Sequence, residues 1–159
     1  MIDKNKVIEI IRAGAEILGI PAPNVYFDTS MFASKTQLAA TDGTDIFVKE
    51  QYTPQLCFAV LHELRHIWQL KENKLLSHQH INDDIEKYNR QPIEIDANAF
   101  ALMLMEVFFD YEEEFTSLSD EIYYKICNKA DELLKEYFVK VMRVKEKYNL
   151  LGRREHSPL

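Results

Sequence analysis

Five residues, His62-Glu63-Leu64-Arg65-His66, set inside the apolar run from Leu56 to Leu70, constrain this chain more than anything else in it. The run is too continuous for a surface helix. Leu56-Cys57-Phe58-Ala59-Val60-Leu61 precedes the five and Ile67-Trp68 follows, so a helix here is apolar nearly all round and must be central. Residues four apart on a helix lie on one face, which lets His62 and His66 grip a single ion. Glu63 reaches the same side and can take a proton from water beside that ion. Two ligands and a general base within five residues are the core of a zinc hydrolase. The competing explanation is a pair of hydrogen-bonded core histidines with a surface Glu between them. It leaves three ionisable side chains in an apolar helix without compensation, which is costly.

A third ligand is available 28 positions after His66, where Glu94-Ile95-Asp96-Ala97-Asn98-Ala99-Phe100-Ala101 opens a second apolar helix. Pro92 stands in its first turn, where proline fits. Glu94, Asn98 and Ala101 fall on one face, and Ala97 and Ala101 are small enough for two helices to approach closely. Glu94 can therefore complete a His₂Glu site, and the Asn98 side-chain carbonyl can accept the free ring N–H of a ligand histidine. Alone, Glu94 would read as an acid favoured by a helix N-terminus. The upstream histidine pair shifts that balance.

These two blocks resemble the Glu-zincin metallopeptidases, and within them the small ImmA/IrrE-type peptidases. Those usually read His-Glu-Leu-Gly-His, then Glu-x-x-Ala-Asn-x-Phe-Ala, then Leu-Leu-Met-Pro. Glu94 to Ala101 matches the second block at every defining position, and Thr44-Asp45-Ile46-Phe47-Val48-Lys49-Glu50 resembles the family's edge strand. The likeness spans about residues 20–108 and is carried by two short blocks. Arg65 stands where the family has glycine, and Glu106-Val107 where it has Met-Pro, so the second helix is expected to run on. The resemblance implies Zn²⁺ as cofactor and a protein or peptide substrate, with a helix-turn-helix repressor cut under stress as one such substrate.

The 159 residues suffice for one core without disulfides. Acidic residues outnumber basic ones 26 to 19, a net charge of −7, which argues against direct nucleic-acid binding. Cys57 and Cys127 form neither a disulfide framework nor a metal spacing and read as small apolar residues. The start at Met1 leads straight into an amphipathic helix with no secretory pattern. The apolar run from Ala97 to Phe109 is too short for a membrane span and is broken by Asn98 and Glu106. The expectation is a cytoplasmic protein.

Period and punctuation supply the rest. Asp3 caps a helix whose Val7, Ile8, Ile11, Ala15 and Leu18 recur at helical spacing, and Gly19 with Pro21 stops it. Asn24 to Asp28 reads as a short strand. Gln37–Ala40 and Ile46–Lys49 flank Thr41-Asp42-Gly43-Thr44, a hairpin signal. The active helix starts near Thr53-Pro54. Residues 71–91 turn polar and read as a loop or short helix over the site. Asp110-Tyr111-Glu112-Glu113-Glu114 is a solvated break, and a helix follows from Ser119 to Tyr148 with Ile122, Ile126, Ala130, Leu133, Leu134 and Tyr137 as its core stripe. The expected fold is α+β, a mostly helical zincin-like domain over residues 1–151 with a small N-terminal sheet or hairpin packed on the active helix. Residues 152–159 read as a frayed tail.

The polar stretch holds further candidates. His78, His80, Tyr88 and Arg90 are of the right types to stabilise an oxyanion on a scissile carbonyl, although His78 and His80 also read as ordinary loop residues. His156 reads as non-functional, Trp68 as core, and Arg65 as a residue off the ligand face that pairs with an acid or reaches solvent. The reading is a zinc peptidase in which Glu63 moves the proton, with Ile46–Lys49 offering a strand edge to an extended peptide. Its rival is a non-catalytic zinc-binding interaction protein that keeps the fold. A closed structural site would then need His78 or His80 as a fourth ligand.

Overall fold

In a computed structural model of the chain, which describes residues 2–72 and 84–150, the order of elements is α1 (Lys4–Leu18), β1 (Val25–Tyr26), β2 (Ala39–Thr41), β3 (Ile46–Val48), α2 (Pro54–Lys71), α3 (Ile85–Arg90), α4 (Pro92–Phe109) and α5 (Asp120–Lys147). The fold is α+β and mostly helical, as the sequence leads one to expect.

Helix ends follow from local chemistry. The Asp3 carboxylate accepts from the Lys6 N–H, and the Thr53 hydroxyl from the Leu56 N–H, each satisfying an orphan donor of a first turn. Gly19 closes α1 in the left-handed region at φ 72°, a conformation that costs glycine nothing. Ser119 caps α5 through the Ile122 N–H. α4 begins with Pro92 and lacks a side-chain cap, then runs through Glu106 and Val107 to Phe109 before Asp110 ends it at φ 55°. With Glu106-Val107 at this point and no proline to break it, α4 continues, as expected.

The three strands form one sheet in the order β1-β3-β2, with β1 parallel and β2 antiparallel to β3. The β2–β3 hairpin closes on the Thr41–Ile46 pair, and the Asp42 carboxylate accepts the N–H groups of Thr44 and Asp45 to hold the turn. This order corrects the expectation for Ile46–Lys49. β3 is the central strand, hydrogen-bonded on both sides, so it has no edge to offer a peptide. The strand that packs against α2 at the rim of the sheet is β2. Sequence spacing predicts the hairpin but not that β1 would add to the far side of β3.

The core is a layer of helices built on α4, which packs on both α2 and α5, while α1 lies against α2. Leu61 and Leu64 of α2 face Gly14 of α1; a Cβ on Gly14 would sit 2.6 Å from Leu64 Cδ2, so the close approach of these helices uses the missing side chain. That leaves His62, Glu63 and His66 on the remaining face of α2, toward α4 and the sheet. Among the described residues no helix is long and apolar enough to cross a membrane.

Candidate metal centre

Packing of α4 on α2 brings the two sequence blocks together. The ligand atoms of His62, His66 and Glu94 all lie within 4.8 Å of one another, a group that can hold a metal ion. Glu94 Oε1 is 3.1 Å from His62 Nε2, and Glu94 Oε2 is 3.0 Å from His66 Nε2. The two Nε2 atoms are 3.1 Å apart, with the rings edge to face. Glu94 is buried, and the histidines are half-buried at the mouth.

The donor set fits a cation. Asn98 Oδ1 lies 2.8 Å from His62 Nδ1, and Gln69 Oε1 lies 2.8 Å from His66 Nδ1. An amide oxygen only accepts, so each Nδ1 carries the hydrogen and, in the neutral ring, each Nε2 presents a lone pair. Two such lone pairs and a carboxylate converge on one point, and that needs positive charge between them. Protons can provide part of it. Burial by itself lowers the tendency of His66 to protonate, yet its hydrogen bond to Glu94 and the charges of Glu94 and Glu63 override this and lift its pKa to about 9. Glu94 shows the converse: burial opposes its ionisation, but the hydrogen bonds from both imidazoles hold its pKa well below the usual carboxylate range.

Glu63 stands beside this group, its Oε2 3.8 Å from His62 Nε2. Its pKa is raised, first by burial and also by the Glu94 charge, against the pull of the two histidines; it accepts a hydrogen bond from the Thr41 backbone N–H of β2. A carboxyl group lifted toward neutrality can both accept and return a proton, which is the requirement for general acid–base work.

The remaining candidates separate. Asn98 takes the position expected of it, on the His62 ring rather than among the ligand atoms. Tyr88 of α3 hydrogen-bonds Glu94, and burial with the Glu94 and Glu63 charges pushes its pKa up, so its hydroxyl stays protonated as a donor at the mouth of the site. Arg90 does not join the group. Its guanidinium pairs with Glu121 of α5 and Glu86, because α3 turns it toward the surface of α5. His78, His80 and His156 lie outside the described residues.

Sequence reasoning missed two residues here, Gln69 and Asp96, and left open whether Arg65 pairs with an acid or reaches solvent; it pairs with Asp96. Gln69 is one turn beyond Arg65 and 1% exposed. Asp96 lies between Glu94 and Asn98, on the flank of α4 turned to Arg65. Arg65 itself is 3% exposed, with Nε 2.7 Å and its second terminal nitrogen 3.0 Å from the two Asp96 oxygens, and its guanidinium stacked 3.8 Å from the Trp68 ring. The signal that could have found them is spacing: Arg65 and Gln69 are four apart, and an acid sits on the facing helix. A groove of about 850 Å³ runs along Arg65, Trp68 and Asp96 against α5 and contains none of His62, Glu63, His66 or Glu94.

Compared with known proteins, the chain matches no family model, no curated protein and no solved structure.

Proposed function

We propose that this chain is a zinc-dependent metallopeptidase that hydrolyses a peptide bond in a specific protein substrate. The observation that carries the reading is a His62–His66–Glu94 group within 4.8 Å with the Glu63 carboxylate beside it. The set is borderline in softness, two imidazoles and one carboxylate, which suits zinc, and among the described residues it supplies three protein ligands, the number of a catalytic zinc site that keeps a fourth position for reactants. Zinc in such a site contributes Lewis acidity, lowering the pKa of water toward ~7 and polarising a carbonyl.

The chain's own residues do the rest. His62 and His66 would hold the ion through Nε2, with Nδ1 of each held by an amide oxygen. Glu63 takes the proton from the attacking water and returns it to the leaving amine. Tyr88, whose protonated hydroxyl hydrogen-bonds Glu94, would be the donor to charge that develops on the carbonyl oxygen. A helix-turn-helix repressor as substrate rests on the family resemblance alone.

Glu63→Gln tests the mechanism. The amide keeps the shape but cannot accept the proton, so the variant should retain about one zinc by elemental analysis, keep its fold, and cleave roughly 10²-fold or more slowly. Cleavage at the parental rate would end the peptidase reading. A non-catalytic zinc protein would instead show full metal binding and no chelator-sensitive cleavage by either form.

A further inference from the structure

The amide of Gln69 cannot turn over. Its Nε2 lies 3.0 Å from the Ile93 carbonyl oxygen and 2.8 Å from Asp96 Oδ2, and both are acceptors. The NH₂ end must therefore face them, and the oxygen end must face His66, where Oε1 is 2.8 Å from Nδ1. Asp96 cannot turn away either, because both its oxygens are engaged by Arg65. Arg65 is in turn fixed by Trp68 beneath its plane and by the Tyr137 hydroxyl of α5, 3.2 Å from its remaining terminal nitrogen. Each link is a donor facing an acceptor: His66 donates to Gln69 and Gln69 to Asp96, while Arg65 donates both to Asp96 and to the Tyr137 hydroxyl.

We propose that Gln69 is the positioning residue of His66, with its amide direction set by Asp96 and, through Asp96, by Arg65. The relay keeps the hydrogen on His66 Nδ1 and so keeps Nε2 as the atom offered toward Glu94. It explains why an arginine sits within the His-Glu-x-x-His sequence: its charge makes a buried Asp96 tolerable, and Asp96 orients the amide. His62 receives the same service from Asn98, one residue of α4, whereas the His66 arrangement spans three elements. The zinc arm of the inference rests on the metal reading above, while its tautomer arm does not.

Two variants test it. Gln69→Met keeps length and removes the acceptor. Gln69→Glu with Asp96→Asn keeps an acceptor toward His66 and moves the donor to position 96, at the cost of the hydrogen bond to Ile93 and of the Arg65 Nε bond, because the same Asp96 oxygen accepts from Gln69 and from Arg65. Zinc affinity is read by chelator competition. The protection of the His66 Nδ1–H is read in the ¹H–¹⁵N spectrum of the zinc-loaded protein. Gln69→Met should weaken zinc binding about 10- to 100-fold and lose that protected proton, leaving the one on His62, while the double variant recovers most of the affinity and the proton. Parental affinity with a protected proton in Gln69→Met overturns the proposal. So does a His66 Nδ1–H that stays unprotected in the double variant, since an acceptor faces it there. If Gln69→Met does not fold, the double variant decides alone by that proton. If the parent takes up no zinc, the metal reading fails. The tautomer of His66 is then read in metal-free protein in alkaline buffer, where each neutral imidazole carries one proton: Nδ1–H alone in the parent supports the relay, and a mixture of tautomers overturns it.

Discussion

Two side-chain amides decide which nitrogen each histidine offers. Asn98 holds His62 by a single 2.8 Å contact. Asn98→Ala should weaken zinc affinity about 10- to 100-fold without abolishing it, and Asn98→Asp should be tolerated because a carboxylate accepts the same hydrogen bond. Competition against a zinc chelator for the three proteins checks this; equal affinities would remove Asn98 from the site. The same residues set a pH dependence. In metal-free protein the raised pKa of His66 means its stabilisation is complete below the ordinary value of 6.5 and is lost as pH rises through about 9. The lowered pKa of Glu94 works in the other direction, its contribution present above the ordinary 4.5 and lost as pH falls below it. Metal-free protein should thus lose resistance to urea between about pH 6.5 and 9, while zinc-loaded protein gains it over that window as the ion replaces the proton. A metal-free urea midpoint that is flat or climbs across that range would contradict this.

At the level of elements, α2 carries His62, Glu63 and His66, and where it starts depends on one residue. Thr53 accepts from the Leu56 N–H ahead of Pro54, so Thr53→Ala should cost about 1 kcal/mol in urea denaturation. Zinc affinity should stay at the parental value, because the cap lies more than two turns from His62. A fall in affinity matching the loss of stability would mean that the first turn positions the site. The boundaries of α1, α2 and α5 were legible because caps and stops are local chemistry: Asp3, Gly19, Thr53 and Ser119 act on neighbours in sequence. The sheet was legible only in part. Asp42-Gly43 marks the hairpin, but pairing of Val25–Tyr26 with β3 is a long-range choice that makes β3 central and turns β2 to Glu63.

Across the whole molecule, the buried Arg65–Asp96 pair ties α2 to α4, and Tyr137 ties both to α5. Arg65→Leu would leave Asp96 buried without its counter-charge and should destabilise the fold by about 3–5 kcal/mol, whereas Arg65→Leu with Asp96→Leu should recover much of that loss. Chemical denaturation of the two variants measures the difference. A double variant no more stable than the single one would mean that Arg65 contributes by packing on Trp68 rather than by its charge.

The sequence by itself determined the elements of this protein that depend on near neighbours. His62 and His66 share a face because four residues make about one helical turn, and Glu94 and Asn98 share one for the same reason. Even the continuation of α4 past Glu106 follows from the absence of a proline. Tertiary structure alone decided what those faces meet. The rotation of α4 against α2 places Glu94 onto both histidines, 32 residues from His62, and by the same rotation turns Asp96 toward Arg65 and Gln69. A side chain's role there depends on which donor faces which acceptor at about 3 Å, as for Gln69 on His66. Spacing along one chain fixes which residues share a helix face, but only packing fixes the distance and direction between two helices.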